Sequence, residues 1–134
     1  MKQNAKIKVK GTQIIDGEST VTELFCTGTA EQKDNALRLC YEEVSEEGEV
    51  SRTTLTLFGQ TLKIERTGAN VMHMTIQQGN HWHGAYASPM GQLELGTFGT
   101  ALSAKEGALF CAYALTMNGA PLSDNELEIT YTIQ

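Results

Sequence analysis

Residues 79–86 read GNHWHGAY, which sets His81 and His83 on either side of the chain's only tryptophan, Trp82. His73 precedes them. Three imidazoles with an open fourth position form the ligand set of one class of catalytic zinc. Whether they converge depends on the hairpin that carries them. A turn at Gln78-Gly79-Asn80 pairs Gln77 with His81 and gathers Met72, Met74, Ile76, Trp82 and Tyr86 on one side. A shorter turn mixes apolar and polar residues on both sides. Burial selects the first register, because a one-residue slip would turn the whole apolar set to water. All three histidines then face outward, with His83 diagonal to His73 and within reach of a shared ion. A solvated site without walls is poor for catalysis. Ordinary surface histidines are the expected reading, a weak metal site at His73, His81 and His83 is secondary, and a metal-dependent enzyme ranks last. No cofactor and no catalytic residue is expected.

A second group centres on Arg66. Leu62 and Ile64 lead to it in steps of two, so it takes the inward phase of an apolar strand. Leu37, Leu39 and Tyr41 lead likewise to Glu43, and Tyr86 shares the phase of Met72, Met74 and Ile76. If strands alternate up and down, the loops at 45–49, 68–70, 88–90 and 118–121 share one end, and Glu43, Arg66 and Tyr86 meet there. An inward arginine needs a partner, since an unpaired buried charge is very costly. The simplest outcome is an ion pair with Glu43 that plugs the mouth. The functional outcome is an Arg66 that anchors a carboxylate or phosphate above an apolar chamber lined by Trp82, Met74, Tyr41 and Tyr113. A third outcome leaves Arg66 exposed at the rim.

Other chemistry is sparse. Cys26, Cys40 and Cys111 are far apart and odd in number, which suits free thiols rather than a disulfide framework or zinc ribbon. No nucleophile elbow, P-loop or dinucleotide fingerprint occurs; Gly96-Thr-Phe-Gly99 falls within a strand. The pairs Glu42-Glu43 and Glu46-Glu47 suit a solvated turn. A formal charge of -6 disfavours nucleic acid as a partner. Lys2, Lys6, Lys8 and Lys10 make a local exception, expected to be the solvated face of an edge strand.

The elements that position these groups follow from 134 residues of nearly continuous strand signal. That length suits one domain. Turn chemistry recurs at Asp16-Gly17, Gln32-Lys33-Asp34, Glu47-Gly48, Gly59-Gln60, Gly68-Ala69-Asn70, Gln78-Gly79-Asn80, Ser88-Pro89-Met90-Gly91, Lys105-Glu106-Gly107 and Asn118-Gly119. The last is the strongest, because Asn-Gly favours the hairpin turn whose twist matches its strands. Between turns, apolar residues alternate with polar ones, as in AKIKVKG and LEITYTI, which is the half-buried strand pattern. Ala101–Leu109 is the weakest strand and reads in part as a helical turn. Gly96 and Gly99 mark a bulge or bend. The expected fold is all-β: a single antiparallel up-and-down barrel of about eight to ten strands, because a meander left open would expose two long edges. No apolar run of membrane-spanning length and no secretory leader is apparent, so a cytoplasmic location is expected and no membrane partner.

The chain also resembles the YwiB-like family of small bacterial proteins, through CYEE (40–43), ERTGA (65–69), PMGQLELGT (89–97) and LEITY (127–131), in the family's order and at similar spacing. The resemblance spans nearly the whole chain. It implies a calycin-like, or lipocalin-like, barrel and carries no established activity; Met90 stands where family members usually have an aromatic ring. Function must therefore come from sites. The leading expectation is a non-enzymatic barrel that holds a small amphipathic or apolar molecule, with an acidic group at the Arg66 mouth. The alternative is an interaction protein, in its simplest form a homodimer, joined through the apolar outer phase of the ninth segment, Ala108, Phe110, Ala112 and Ala114.

Overall fold

In the computed structural model, which describes residues 2–134, almost every residue outside the turns is in a strand. The order is β1 (Lys2–Ile15), β2 (Glu18–Lys33), β3 (Ala36–Val44), β4 (Val50–Phe58), β5 (Thr61–Gly68), β6 (Val71–Gln77), β7 (His81–Ser88), β8 (Gly91–Lys105), β9 (Ala108–Met117) and β10 (Ala120–Ile133). The turns fall where the sequence puts them, within a residue or so. Asn118 and Gly119 both have positive φ, 50° and 84°, as the hairpin turn demands. Ala101–Leu109 is no helical turn: β8 runs through to Lys105 and pairs with β9.

Every strand is antiparallel to its sequence neighbours, and β1 closes the sheet on β10. The barrel therefore has ten strands in simple meander order. Closure corrects one expectation. The lysine stripe is not on an edge strand, because β1 is paired on both sides, with β2 and β10. Lys6, Lys8 and Lys10 still alternate with inward Ala5, Ile7 and Val9. Two of the three heads are tied down locally: Lys8 Nζ lies 3.4 Å from Glu23 and Lys10 Nζ 3.8 Å from Glu128.

The core is the inner face of the sheet. Ile7, Leu39, Leu55, Leu62, Ile76 and Ile129 are almost wholly buried, each from a different strand. Period-two alternation delivers one apolar residue per strand to the same layer, which is how a small barrel fills its interior. The fill is uneven along the axis. β3–β7 are short, whereas β1, β2, β8 and β10 are long and continue past them. Above the packed layer the inner wall carries larger, half-buried residues, and there the interior opens.

Two interruptions break the ladder. β2 pairs with β3 only from Gly28↔Tyr41 to Lys33↔Ala36, so residues 18–27 pair with β1 alone. β6 pairs with β7 only over Val71↔Ala87 to His73↔Ala85. Here β8 reaches across: Thr97 Oγ1 donates to the Thr75 carbonyl at 2.5 Å, and Gln78 forms a bridge with Gly99. The register of β8 on β9 shifts at Gly99 and Ala101. Gly99 thus marks the bulge that the sequence suggested, while Gly96 pairs regularly.

Candidate functional site

Arg66 stands where β5 rises to the open end of the barrel. Its guanidinium Nη2 donates to Glu43 Oε1 at 3.3 Å, and its Nε donates to Thr53 Oγ1, also at 3.3 Å. The inward phases of three adjacent strands bring these groups together, since Thr53 pairs with Arg66 on one side and with Tyr41 on the other. Both ion-pair side chains are 36% exposed. The pair is therefore semi-solvated and long for a charge-assisted bond, which is typically about 2.7–2.9 Å. A guanidinium has further N–H donors beyond those two, and none of them has a hydrogen-bond partner among the described residues.

Below and beside Arg66 lies a chamber of about 630 Å3. Its wall includes Tyr41, Met74, Tyr86 and Tyr113, with Leu24 and Thr22 contributed by the unpaired part of β2. The lining is mostly apolar with a few convergent polar groups, the usual make-up of a small-molecule site. Burial shapes its acid–base chemistry. The Tyr41 phenol is pushed up by burial first and then by the Glu43 carboxylate, partly opposed by Thr53 and Arg66. The Tyr113 phenol is pushed well above its ordinary value of 10.0 by burial. Neither phenol is a base at neutral pH; both are neutral hydrogen-bonding groups in an apolar wall.

Glu43, Arg66, Tyr41, Met74, Tyr86 and Tyr113 thus share one chamber. Trp82 does not. It is 40% exposed, lies outside both the core and the chamber wall, and its indole Nε1 donates to Gln77 Oε1 at 3.3 Å. The expected register is present, since Met72↔Tyr86 and His73↔Ala85 follow the three-residue turn. It fails to bury Trp82 because β7 leaves β6 beyond His73, where β8 bonds to β6 in its place. Residue pattern reveals phase but not where two paired strands diverge.

The same divergence separates the histidines. His73, His81 and His83 are all exposed, as their phase requires. His81 stacks on Phe98 with ring centroids 4.6 Å apart, and His83 Nδ1 lies 3.4 Å from Glu94. The diagonal His73–His83 approach needs the ladder to continue, and it does not. Among the described residues no group of three or more His, Cys, Asp or Glu is placed to hold a metal.

The thiols are free. Cys111 is buried, while Cys26 and Cys40 are half-buried. Burial pushes the Cys111 thiol up to about 12, and Cys26 is raised by burial and then by Glu43. Outside the barrel, Phe110 is half-buried and helps to floor a groove of about 480 Å3 together with Lys8, Lys10 and Lys105. Sequence phase found Phe110 but not the lysines around it. Sequence reading also missed Thr53, a buried polar residue that its strand pattern gave no reason to single out.

A closed antiparallel meander barrel with an internal chamber at one end defines the class: small single-sheet barrels whose interior is accessible from a rim. The chain belongs to the family described as a domain of unknown function (DUF1934), whose model matches residues 7–129. The fold is similar to the crystal structure of the ywiB protein from Bacillus subtilis, with a TM-score of 0.82 and 24% sequence identity over 99% of this chain and 93% of that one. At that identity the likeness establishes the fold alone. No curated protein matches the chain.

Proposed function

We propose that the protein is a non-enzymatic, calycin-like binding barrel that takes a small amphipathic or apolar molecule, with an acidic group at Arg66. The observation that carries this reading is the chamber of about 630 Å3 beneath a guanidinium with N–H groups to spare. Its size lies within the range of about 300–1,000 Å3 common for ligand pockets. The long, half-exposed contact to Glu43 costs little to loosen, so a ligand carboxylate or sulfonate can share or replace it. Tyr86, Tyr113 and Met74 offer an apolar bed for the rest of the molecule.

A bacterial, cytoplasmic protein without a nucleic-acid or membrane partner fits the same reading. The outer wall carries Lys6, Lys8, Lys10, Arg38, Arg52 and Lys63, whereas a barrel facing lipid needs an apolar outer band. Among the described residues no helix is long and apolar enough to cross a membrane.

The test uses anilinonaphthalenesulfonate, an anion with an apolar ring system whose fluorescence rises when it is buried. The native protein binds it saturably. Arg66→Met weakens binding about tenfold, the loss of about 1.4 kcal/mol expected when a charge-assisted contact is removed. Tyr113→Trp, which fills the chamber, abolishes it. Dye binding indifferent to both substitutions would refute the proposal.

A further inference from the structure

The free edge of β2 has a composition that specifies what can pair with it. Among the described residues, 18–27 pair with β1 on one side and with no strand on the other. Every second residue there presents its backbone N–H and C=O outward, a template for an added strand. Natural proteins blunt such edges with lysine, proline or a covering loop; this one carries neither lysine nor proline between Glu18 and Thr27. The outward phase is instead Ser19, Val21, Glu23 and Phe25, with Val21 51% and Phe25 72% exposed. The opposite bank of the gap is alike: Val44 and Val50 are exposed and paired together, next to Glu42 and Arg52.

The chain already displays the side chain that suits this surface. On the paired side of β2, Lys8 lies opposite Phe25. Its Nζ is 5.3 Å from the Phe25 ring centroid and 3.4 Å from Glu23 Oε2. One residue thus lays an apolar stem on the ring, makes a cation–π contact and meets a carboxylate. The free side of Phe25 offers the same ring with no such partner. Carboxylates at Glu18, Glu46, Glu47 and Glu49, without an ion-pair partner among the described residues, add negative charge to β2 and to the β3–β4 loop.

We infer that the free edge of β2 accepts an extended polypeptide segment of a partner protein, in which lysine or arginine alternates with apolar residues. The basic residues take the outward phase over Val21 and Phe25. The apolar residues take the inward phase beside Thr22 and Leu24, where they cover the side opening of the chamber. A second copy of this chain is the poorer occupant, since each copy carries a formal charge of -6 and an acidic edge. The inference is independent of what fills the chamber.

The probe is a fluorescein-labelled peptide of alternating valine and lysine, about eight residues long, read by fluorescence anisotropy against the full chain. Three comparisons isolate the physics. A valine–glutamate peptide keeps the strand propensity and reverses the charge. The valine–lysine peptide N-methylated on alternate residues keeps the charge and loses the ladder. Phe25→Ser removes the ring. Binding is expected to weaken about tenfold or more in each case, about 1.4 kcal/mol apiece. Amides of residues 18–25 gain protection from hydrogen exchange in the complex. Tyr113→Trp abolishes dye binding without affecting the peptide, so the two readings fail separately. Equal binding of the N-methylated peptide would reduce the effect to unspecific charge attraction and overturn the inference. So would equal binding of the valine–glutamate peptide, or no binding at about 1 mM, a free energy near -4 kcal/mol. Light scattering that reports a dimer dissolved by Val21→Pro would assign the edge to a second copy and overturn it equally.

Discussion

The barrel wall parts in two places, and the chain treats the two gaps differently. Between β6 and β7 the ladder stops after His73↔Ala85, but β8 closes the breach. Thr97 bonds the Thr75 carbonyl, Gly79 N donates to Gly99 O at 2.8 Å, and Leu102 N donates to Gln78 Oε1 at 3.2 Å. Between β2 and β3 the ladder stops after Gly28↔Tyr41, and nothing comparable spans the gap. The closed gap lies against buried Ile76 and Thr97, where an unsatisfied carbonyl would cost about 1–3 kcal/mol. The open gap lies beside the chamber, where water can serve the backbone. Thus the fold repairs its ladder where the interior is solid and leaves it open where the interior is hollow.

The comparison can be strained most strongly with alkali. The unfolded chain ionises Cys111 near 9.0, whereas burial holds the folded thiol up to about 12. The folded state favours the neutral thiol, so this stabilisation is complete below pH 9 and is lost as pH climbs toward 12. The decline is on the order of 1 kcal/mol per pH unit. Tyr113, raised for the same reason, steepens it above pH 10. Denaturant midpoints measured at successive pH values should fall in this window, and Cys111→Ala should flatten the fall far more than Cys26→Ala beside the open gap. Matching slopes for the two variants would erase the distinction.

A steric test of the repaired gap comes next. A Cβ on Gly99 would run into the Gln77 carbonyl, so Gly99→Ala must push β8 off β6. The expected cost is about 1–3 kcal/mol, read from chemical denaturation. A loss below about 0.5 kcal/mol, the level of ordinary surface substitutions, would mean that β8 is not sealing this gap. The smallest effect belongs to the open gap. Phe25→Ser should change folding stability by no more than about 0.5 kcal/mol, because the ring is already largely solvated. A loss of several kcal/mol there would reveal that Phe25 is covered, and the edge with it.

Much of this architecture is legible in the residues. Alternation of Leu37, Leu39, Tyr41 and Glu43, and of Leu62, Ile64 and Arg66, is enough to place an acid and a base on the inside of one rim. Asn118-Gly119 dictates its turn, because both residues tolerate positive φ. Met72, Met74 and Ile76 find the core by phase alone. Trp82 marks the limit: its phase is right, its size is right, and yet it lies outside. Phase is a property of one strand, whereas burial depends on whether the neighbouring strand is still alongside. The same limit hides Thr53, which matters only because Arg66 happens to pair across from it, and the free edge of β2, which exists only because β3 is too short to cover it.

The residue order by itself determined an antiparallel meander of about eight to ten strands, most of its turns, and the inner phase shared by Glu43 and Arg66. These follow from local backbone preference and a period of two, both of which act within a few residues. Only the assembled barrel decided where adjacent strands separate, which gap is repaired, and that the space beneath Arg66 stays hollow. Strand lengths and tilt are reconciled around the whole circumference at once, and no short stretch of chain contains that constraint.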